Sequence, residues 1–330
     1  MSPEQSGGPA ELVLMALISR RYFIDGASKI DIAEQTGLSR FKVARLLDKA
    51  RSLGLVKIDI SYPGTIDVDA SSRLQDALGL RHALVLDAVE DHHAALRADL
   101  GAAAAELLSE IVSADDVLGL AWARSVSAMS AAMKRLAPCT VVQMTGALPG
   151  PEVDESATEL VRGTARTGGG PAYFFYAPMI VGSASMAQAL RQQPEVARAL
   201  SKLPSVTKAV VGVGSWDPPF STLYDALEPA ERESLHELGV RAEVSGILID
   251  GDGVPVSTPL NDRMIGVDAA QLGRVPEVIA VAYDVTKSQA VLAAVRGGLV
   301  NSLITHRSLA EAMLLDAAEN PVDRRPERIS

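Results

Sequence analysis

A single cysteine, Cys139, occurs in 330 residues, so the chain holds no internal disulfide framework. Its apolar setting in CTVVQM, with nothing nearby to lower a thiol pKa, implies a buried thiol and not a nucleophile. Histidine is nearly as scarce. His92 and His93 are adjacent and point to different sides of a helix, while His82, His236 and His306 are scattered, so no metal site is expected. No run of about 18 apolar residues is present to span a bilayer. The opening MSPEQSGGPAE lacks a basic stretch leading into an apolar core, so no signal peptide is expected and a cytoplasmic location follows. There is no G-x-S-x-G elbow, no sequence-local Ser/His/Asp grouping and no fixed-period repeat. GVGSWDPP (212–219) is glycine-rich but lacks the Lys-Ser/Thr of a phosphate loop and the full dinucleotide spacing, so a nucleotide site is not expected. DGDGVPVS (250–257) lacks the later glutamate of a calcium loop and reads as a β-turn.

What is there is apolar and unevenly charged. Hydrophobic residues make up 48 % of the chain, and the length suits about two domains. The net charge is −10, yet residues 1–60 carry nine Lys/Arg against seven Asp/Glu, and the remaining 270 carry 22 against 34. A slightly basic head thus precedes a strongly acidic body, and contact with nucleic acid would be local, salt-sensitive and dependent on several heads acting together.

In the head, SKIDIAEQTGLSRFKVARLLDKARSL (28–53) has the pattern of a helix-turn-helix. Ala33 allows close helix approach, Gly37 suits a positive-φ turn, and Ser39 is placed to cap the second helix. Ile32, Leu38, Val43, Leu46 and Leu47 fall at packing positions, which leaves Ser39, Arg40, Phe41, Lys42 and Arg45 to meet base edges and phosphates of operator DNA. A preceding helix from Glu11 to Phe23 and a strand in GLVKIDIS (54–61) would complete the head. Residues 1–10 and 319–330 read as disordered ends, 11–61 as the DNA-binding domain, 62–70 as a linker and 71–318 as the second domain.

Beyond the linker, short apolar strands, among them those in AYFFYAP, VTKAVVGVG and VSGILID, alternate with helices, among them one from Ser125 to Leu136 and a helical region from Met186 to Leu203. The expected fold is α/β, with a mainly parallel, doubly wound, Rossmann-like sheet covered on both faces. Ligands of such sheets collect beyond the carboxyl ends of strands. GLAWARSVSAM places Trp122, Ala123, Arg124 and Ser125 at a strand-to-helix turn able to hold a phosphate. QMTGAL offers Gln143, Thr145 and Gly146, PLNDRMIG offers Asp262, and AYDVTKSQ offers Asp284 and Lys287 at another such junction.

Taken in order, IAEQTGLSRFKVARLLDKARSLGLVKI, GLAWARSVSAM, VVQMTGAL, VVGVGS, PLNDRMIGV and KSQAVLAAVRGGLVNSLIT resemble the SorC family of bacterial transcriptional regulators, over about residues 12–316. The resemblance implies an effector domain like the sheets of sugar-phosphate isomerases and CoA-transferases, homodimers or homotetramers, and an operator beside a carbohydrate-use operon. It implies no cofactor and no catalytic residue. Carried over by position, Trp122 to Ser125 correspond to the family's phosphate-binding turn, Gln143 and Gly146 to a sugar-facing strand end, and Asp262 and Lys287 to polar pocket residues. Ala123 replaces a usual glycine, Ser125 a usual threonine, Asp284 a small residue and His306 an acidic one. These departures keep an unphosphorylated sugar or polyol beside a sugar phosphate as the effector. The competing reading is a sugar-phosphate isomerase or transferase with an accessory head, using Asp262, Asp284 and Lys287 as acid/base groups. A purely structural protein would leave the basic helix without a purpose.

Overall fold

The computed structural model describes residues 8–57, 65–88, 92–148 and 156–319. Two compact units emerge, Met1–Ser61 and Tyr62–Ser330.

In the first unit, α1 (Pro9–Phe23), α2 (Lys29–Thr36) and α3 (Arg40–Ser52) form a three-helix head. Each boundary has a local cause. Pro9 opens α1, so residues 9 and 10 are helical where the sequence reads as an arm. Ser28 and Asp31 close a capping box on α2, and Gly37 ends it at φ +68°. The Ser39 hydroxyl accepts from the Lys42 amide at 3.2 Å and starts α3. Met15, Ile18, Ile32, Ala33, Val43, Leu46, Leu47 and Ala50 form the core, with Leu38 packed against it. Half of the strand expected in 54–61, residues 58–61, lies outside the described residues, and Gly54 to Val56 form a turn and bend. Replacing Ser39 with alanine is expected to cost about 1 kcal/mol of head stability. Hydrogen exchange would show it as a loss of protection in α3 with the amides of the second unit unchanged.

The second unit begins with α4 (Val68–Leu78), whose N-cap Asp67 accepts from the Ala70 amide at 3.0 Å, inside the stretch read as linker. There follow β1 (His82–Leu86), α5 (His93–Ile111), β2 (Val117–Leu120), α6 (Arg124–Ala132), β3 (Thr140–Gln143), α7 (Ala157–Gly168), β4 (Ala172–Tyr173), α8 (Ala184–Arg191), α9 (Pro194–Leu200) and β5 (Lys208–Val211). Next come β6 (Val213–Trp216), β7 (Pro219–Phe220), α10 (Thr222–Asp225), α11 (Pro229–Glu237), β8 (Ala242–Val244), β9 (Ile247–Ile249), α12 (Pro259–Asp262) and α13 (Ala269–Leu272). The unit closes with β10 (Glu277–Val281), α14 (Ser288–Arg296), β11 (Ser302–His306) and α15 (Arg307–Glu319).

Seven strands form one parallel sheet in the order β1-β11-β10-β5-β2-β3-β4. All five residues of β10 and of β11 are buried, as expected of strands covered on both faces. Leu74 of α4, Val291 of α14 and Leu309 of α15 belong to the core on one face. Leu100 of α5, Met129 of α6 and Leu160 of α7 belong to the core on the other, which also takes in the buried Cys139. Burial pushes the Cys139 thiol pKa up, as an inert core cysteine requires.

Several long segments that look continuous in the sequence break in the structure. The helix expected over 125–136 ends at Ala132, and the helical region expected over 186–203 divides before Pro194, which opens α9. AYFFYAP contributes only the two residues of β4. VTKAVVGVG divides at Gly212 into β5 and β6, and VSGILID folds back on itself as the β8–β9 hairpin. The turn of that hairpin takes Ser245 to φ 54° and Gly246 to φ 86°. β6 to β9 thereby make a second, antiparallel sheet in the order β7-β6-β8-β9. Among the described residues, no helix is long and apolar enough to cross a membrane.

Candidate functional site

The chain runs outward in one direction through β2, β3 and β4, returns to pair β5 with the other side of β2, and continues through β10 and β11. The order therefore reverses between β2 and β5, where an open α/β sheet leaves a crevice beyond its strand ends. A cavity lies there. Trp122 to Ser125 line it beyond β2, Gly212 to Gly214 beyond β5, and Val281 and Tyr283 at the end of β10. The small antiparallel sheet and its neighbours supply Phe220, Ser221, Glu243, Ser245 and Gly246.

Helix α6 starts at this cavity, and its N-cap, Ala123, makes no side-chain cap. The first-turn amides thus face the crevice with the positive end of the helix dipole. Lys287 is buried, and its ammonium donates to the Val213 carbonyl at 2.7 Å. It lies 4.4 Å from the Phe220 ring centroid and 5.4 Å from that of Tyr283. Burial drives its pKa down to about 8, with the nearby charge of Arg124 adding to the fall and those of Glu243 and Asp284 resisting it.

Glu243 is the counter-charge. Its carboxylate accepts from the Ser221 hydroxyl at 2.9 Å and the Gly246 amide at 2.9 Å. Desolvation nonetheless pushes its pKa up, against those hydrogen bonds and the charge of Lys287. A Cβ on Gly214 would stand 2.4 Å from a Glu243 oxygen and 2.5 Å from the Ser221 oxygen, so only glycine leaves this arrangement intact. The Ser245 hydroxyl lines the same wall and has no hydrogen-bond partner among the described residues. A cation pair, one carboxylate, several hydroxyls and aromatic edges together suit a small polyhydroxylated molecule, with or without an anionic group.

Of the effector residues expected from sequence, Trp122, Ala123, Arg124, Ser125 and Lys287 come together here. Ser125 is buried, and its hydroxyl donates to the Val281 carbonyl at 2.8 Å, so it helps tie α6 to β10. The other three stand outside the cavity lining. Gln143 is buried, donates to the Thr145 carbonyl at 2.9 Å and accepts from the Phe175 amide at 3.2 Å, tying β3 to its surroundings. Gly146 packs against the backbone of Pro178, and it is the neighbouring Thr145 that reaches the cavity. Asp262 ends α12 on the exposed surface. Asp284, at φ 80°, turns its carboxylate to Thr286 and to His93, 3.3 Å away. Burial raises its pKa, but the hydrogen bonds from Thr286 and the charges of His93 and Lys287 hold it below the ordinary value.

Glu243, Ser221, Phe220, Ser245 and Tyr283 were not legible as site residues. The one available signal was GVGS, whose glycines permit close approach of other side chains and not a nucleotide. In the head, Ser39, Arg40, Phe41, Lys42 and Arg45 are all exposed at the start of α3. No group of three or more His, Cys, Asp or Glu side chains able to hold a metal is found among the described residues.

Residues 63–315 match the family model described as "Putative sugar-binding domain". The chain is 29 % identical over 304 residues to the transcriptional regulator YjhU of Escherichia coli K12, covering 89 % of this chain and 92 % of that protein. It is 28 % identical over 317 residues to the transcriptional regulator LsrR of Klebsiella pneumoniae, covering 92 % of this chain and 94 % of the relative. Among solved structures, the full-length sorbitol operon regulator SorC from Klebsiella pneumoniae shares the fold with a TM-score of 0.71 at 22 % identity, covering 92 % of this chain and 99 % of that one. A parallel sheet with a crevice at its reversal point, a helix-turn-helix unit ahead of it in the chain and a family match over most of the length lead to one assignment: the chain belongs to the SorC family of sugar-binding transcriptional regulators.

Proposed function

We propose that this protein is a ligand-responsive regulator of a carbohydrate or polyol operon, in which α3 reads operator DNA and a sugar phosphate, sugar or polyol in the cavity controls that binding. The observation that carries the effector reading is the cavity at the reversal point of the sheet, which joins Arg124 and Lys287 with Glu243 and several hydroxyls. The cations and the α6 N-terminus suit a phosphate, and Glu243 suits ligand hydroxyls. Assembly as dimers or tetramers accords with the weakly basic head, since one copy alone offers little charge to DNA. The names of the curated relatives favour a regulator over the sugar-phosphate isomerase or transferase.

A thermal-shift screen of sugars, polyols and their phosphates tests the reading. A ligand at about 100 times its Kd should stabilise the native chain by about 2.7 kcal/mol. Lys287→Ala and Arg124→Ala are expected to remove the response to a phosphorylated ligand. A response that survives Arg124→Ala would assign a neutral polyol, and one that survives both substitutions would place the ligand elsewhere.

A further inference from the structure

Phe41 is 83 % exposed, more than any other large apolar side chain among the described residues. It is the second residue of α3, whose opposite side buries Val43, Leu46, Leu47 and Ala50 in the head core. Ala44 and Arg45 follow at i+3 and i+4 on the same side as Phe41. Arg40, Lys42 and Arg45 are exposed around it, the first turn of α3 holds no acidic residue, and the exposed Asp48 stands two turns further along the same side. The surface is thus an apolar ring within a frame of cations. Its complement must be anionic at the edges and apolar at one point inside them. The DNA major groove has that character: phosphates flank the floor, and the apolar group on the base edges is the C5-methyl of a pyrimidine, which thymine carries.

We propose that Phe41 is a specificity-determining residue that packs on the C5-methyl of a thymine in each operator half-site. The proposal rests on the reading of α3 as the DNA-binding helix. Ala44, small and half-buried, lets the helix approach the groove closely enough for the ring to reach the base edge.

The test uses the full chain and a duplex selected by it from random sequence at low salt. Each thymine of the selected site is replaced in turn by deoxyuridine, which removes the methyl and keeps the hydrogen-bond pattern. Loss of one buried methyl is expected to weaken binding roughly fourfold, and on the order of 15-fold when both half-sites are changed. Phe41→Ala should bind the thymine and uracil duplexes equally, and Phe41→Leu should keep part of the difference. With cytosine at the critical position, 5-methylation should restore part of the affinity. Arg40→Ala should weaken binding to both duplexes and keep their ratio. Equal binding of every uracil duplex by the unmutated chain would overturn the proposal, as would a uracil penalty that persists in Phe41→Ala. A DNA-free change of oligomeric mass in Phe41→Ala together with an unchanged uracil penalty would assign the ring to a contact between heads and overturn it too. Failure to enrich any duplex would instead remove the DNA-binding reading beneath it.

Discussion

Lys287→Met is expected to stabilise the ligand-free protein at pH 7 and to abolish its response to an anionic effector. The ammonium is buried, and its pKa falls from 10.5 to about 8. Such a fall corresponds to about 3 kcal/mol of unfavourable charge burial. The unfolded chain binds the proton more tightly, so stability rises with pH between about 8 and 10.5 and is lowest below that window, where the lysine is charged in both states. Methionine fills a similar volume without the charge and removes this dependence. Loss of the hydrogen bond to the Val213 carbonyl offsets about 1 kcal/mol, leaving a net gain of about 2 kcal/mol at pH 7. Glu243 and Asp284 both lose a positive neighbour, so their carboxyls should protonate more readily in the variant.

Denaturant titrations at pH 7 and pH 10 would measure the effect. A variant that is less stable than the parent at pH 7, or that keeps the parent's rise above pH 8, would show that Lys287 is not a strained charge. The same titration predicts how the cavity binds: affinity for an anion should decline as pH rises through about 8, because the lysine then gives up the proton that attracts it.

Arg40→Ala and Arg45→Ala are expected to produce the second large effect, this time on operator binding. Both side chains are exposed on a helix held by its own core and by the Ser39 cap, so neither substitution should unfold the head. A residue that contacts a base edge should cost about 1–3 kcal/mol and relax specificity at one position. One that contacts phosphate should weaken all sequences alike and lower the salt slope by about 1. Fluorescence anisotropy across a salt series separates the two outcomes. Ligand-induced thermal stabilisation should be unchanged, because the cavity is lined wholly by residues of the second unit. Operator affinities equal to the parent's for both variants would remove α3 from the interface.

The head was legible almost completely, since its signals are short-range. Ser28, Gly37 and Ser39 act on backbone groups within a few residues, and the apolar spacing of α3 places Val43, Leu46 and Leu47 inside without reference to the rest of the chain. The same holds for β1, β2, β3, β10 and β11 as apolar strands between helices. VSGILID was harder, because one apolar run serves equally as a strand or as a tight hairpin; only the positive-φ turn at Ser245 and Gly246 distinguishes them.

The site divides in the same way. Trp122 to Ser125 and Lys287 stand at strand-to-helix junctions, which a local pattern reveals and which a parallel sheet gathers at one edge. Gln143 and Asp262 are equally polar and equally near strand or loop ends, yet one is consumed by hydrogen bonds within the fold and the other faces solvent. Glu243 comes from a hairpin inserted between β5 and β10, and its approach to Lys287 depends on β6 pairing with β8.

The sequence alone thus determined the helix-turn-helix head, the alternation of strands and helices and the junction residues, all of which arise from contacts a few residues apart. Tertiary structure decided which junctions meet. Sheet order brings the ends of β2, β5 and β10 side by side, and the antiparallel insert carries Glu243, Ser221 and Phe220 to them. Such pairings join segments far apart in the chain, so packing of the whole domain, and no local pattern, selects them.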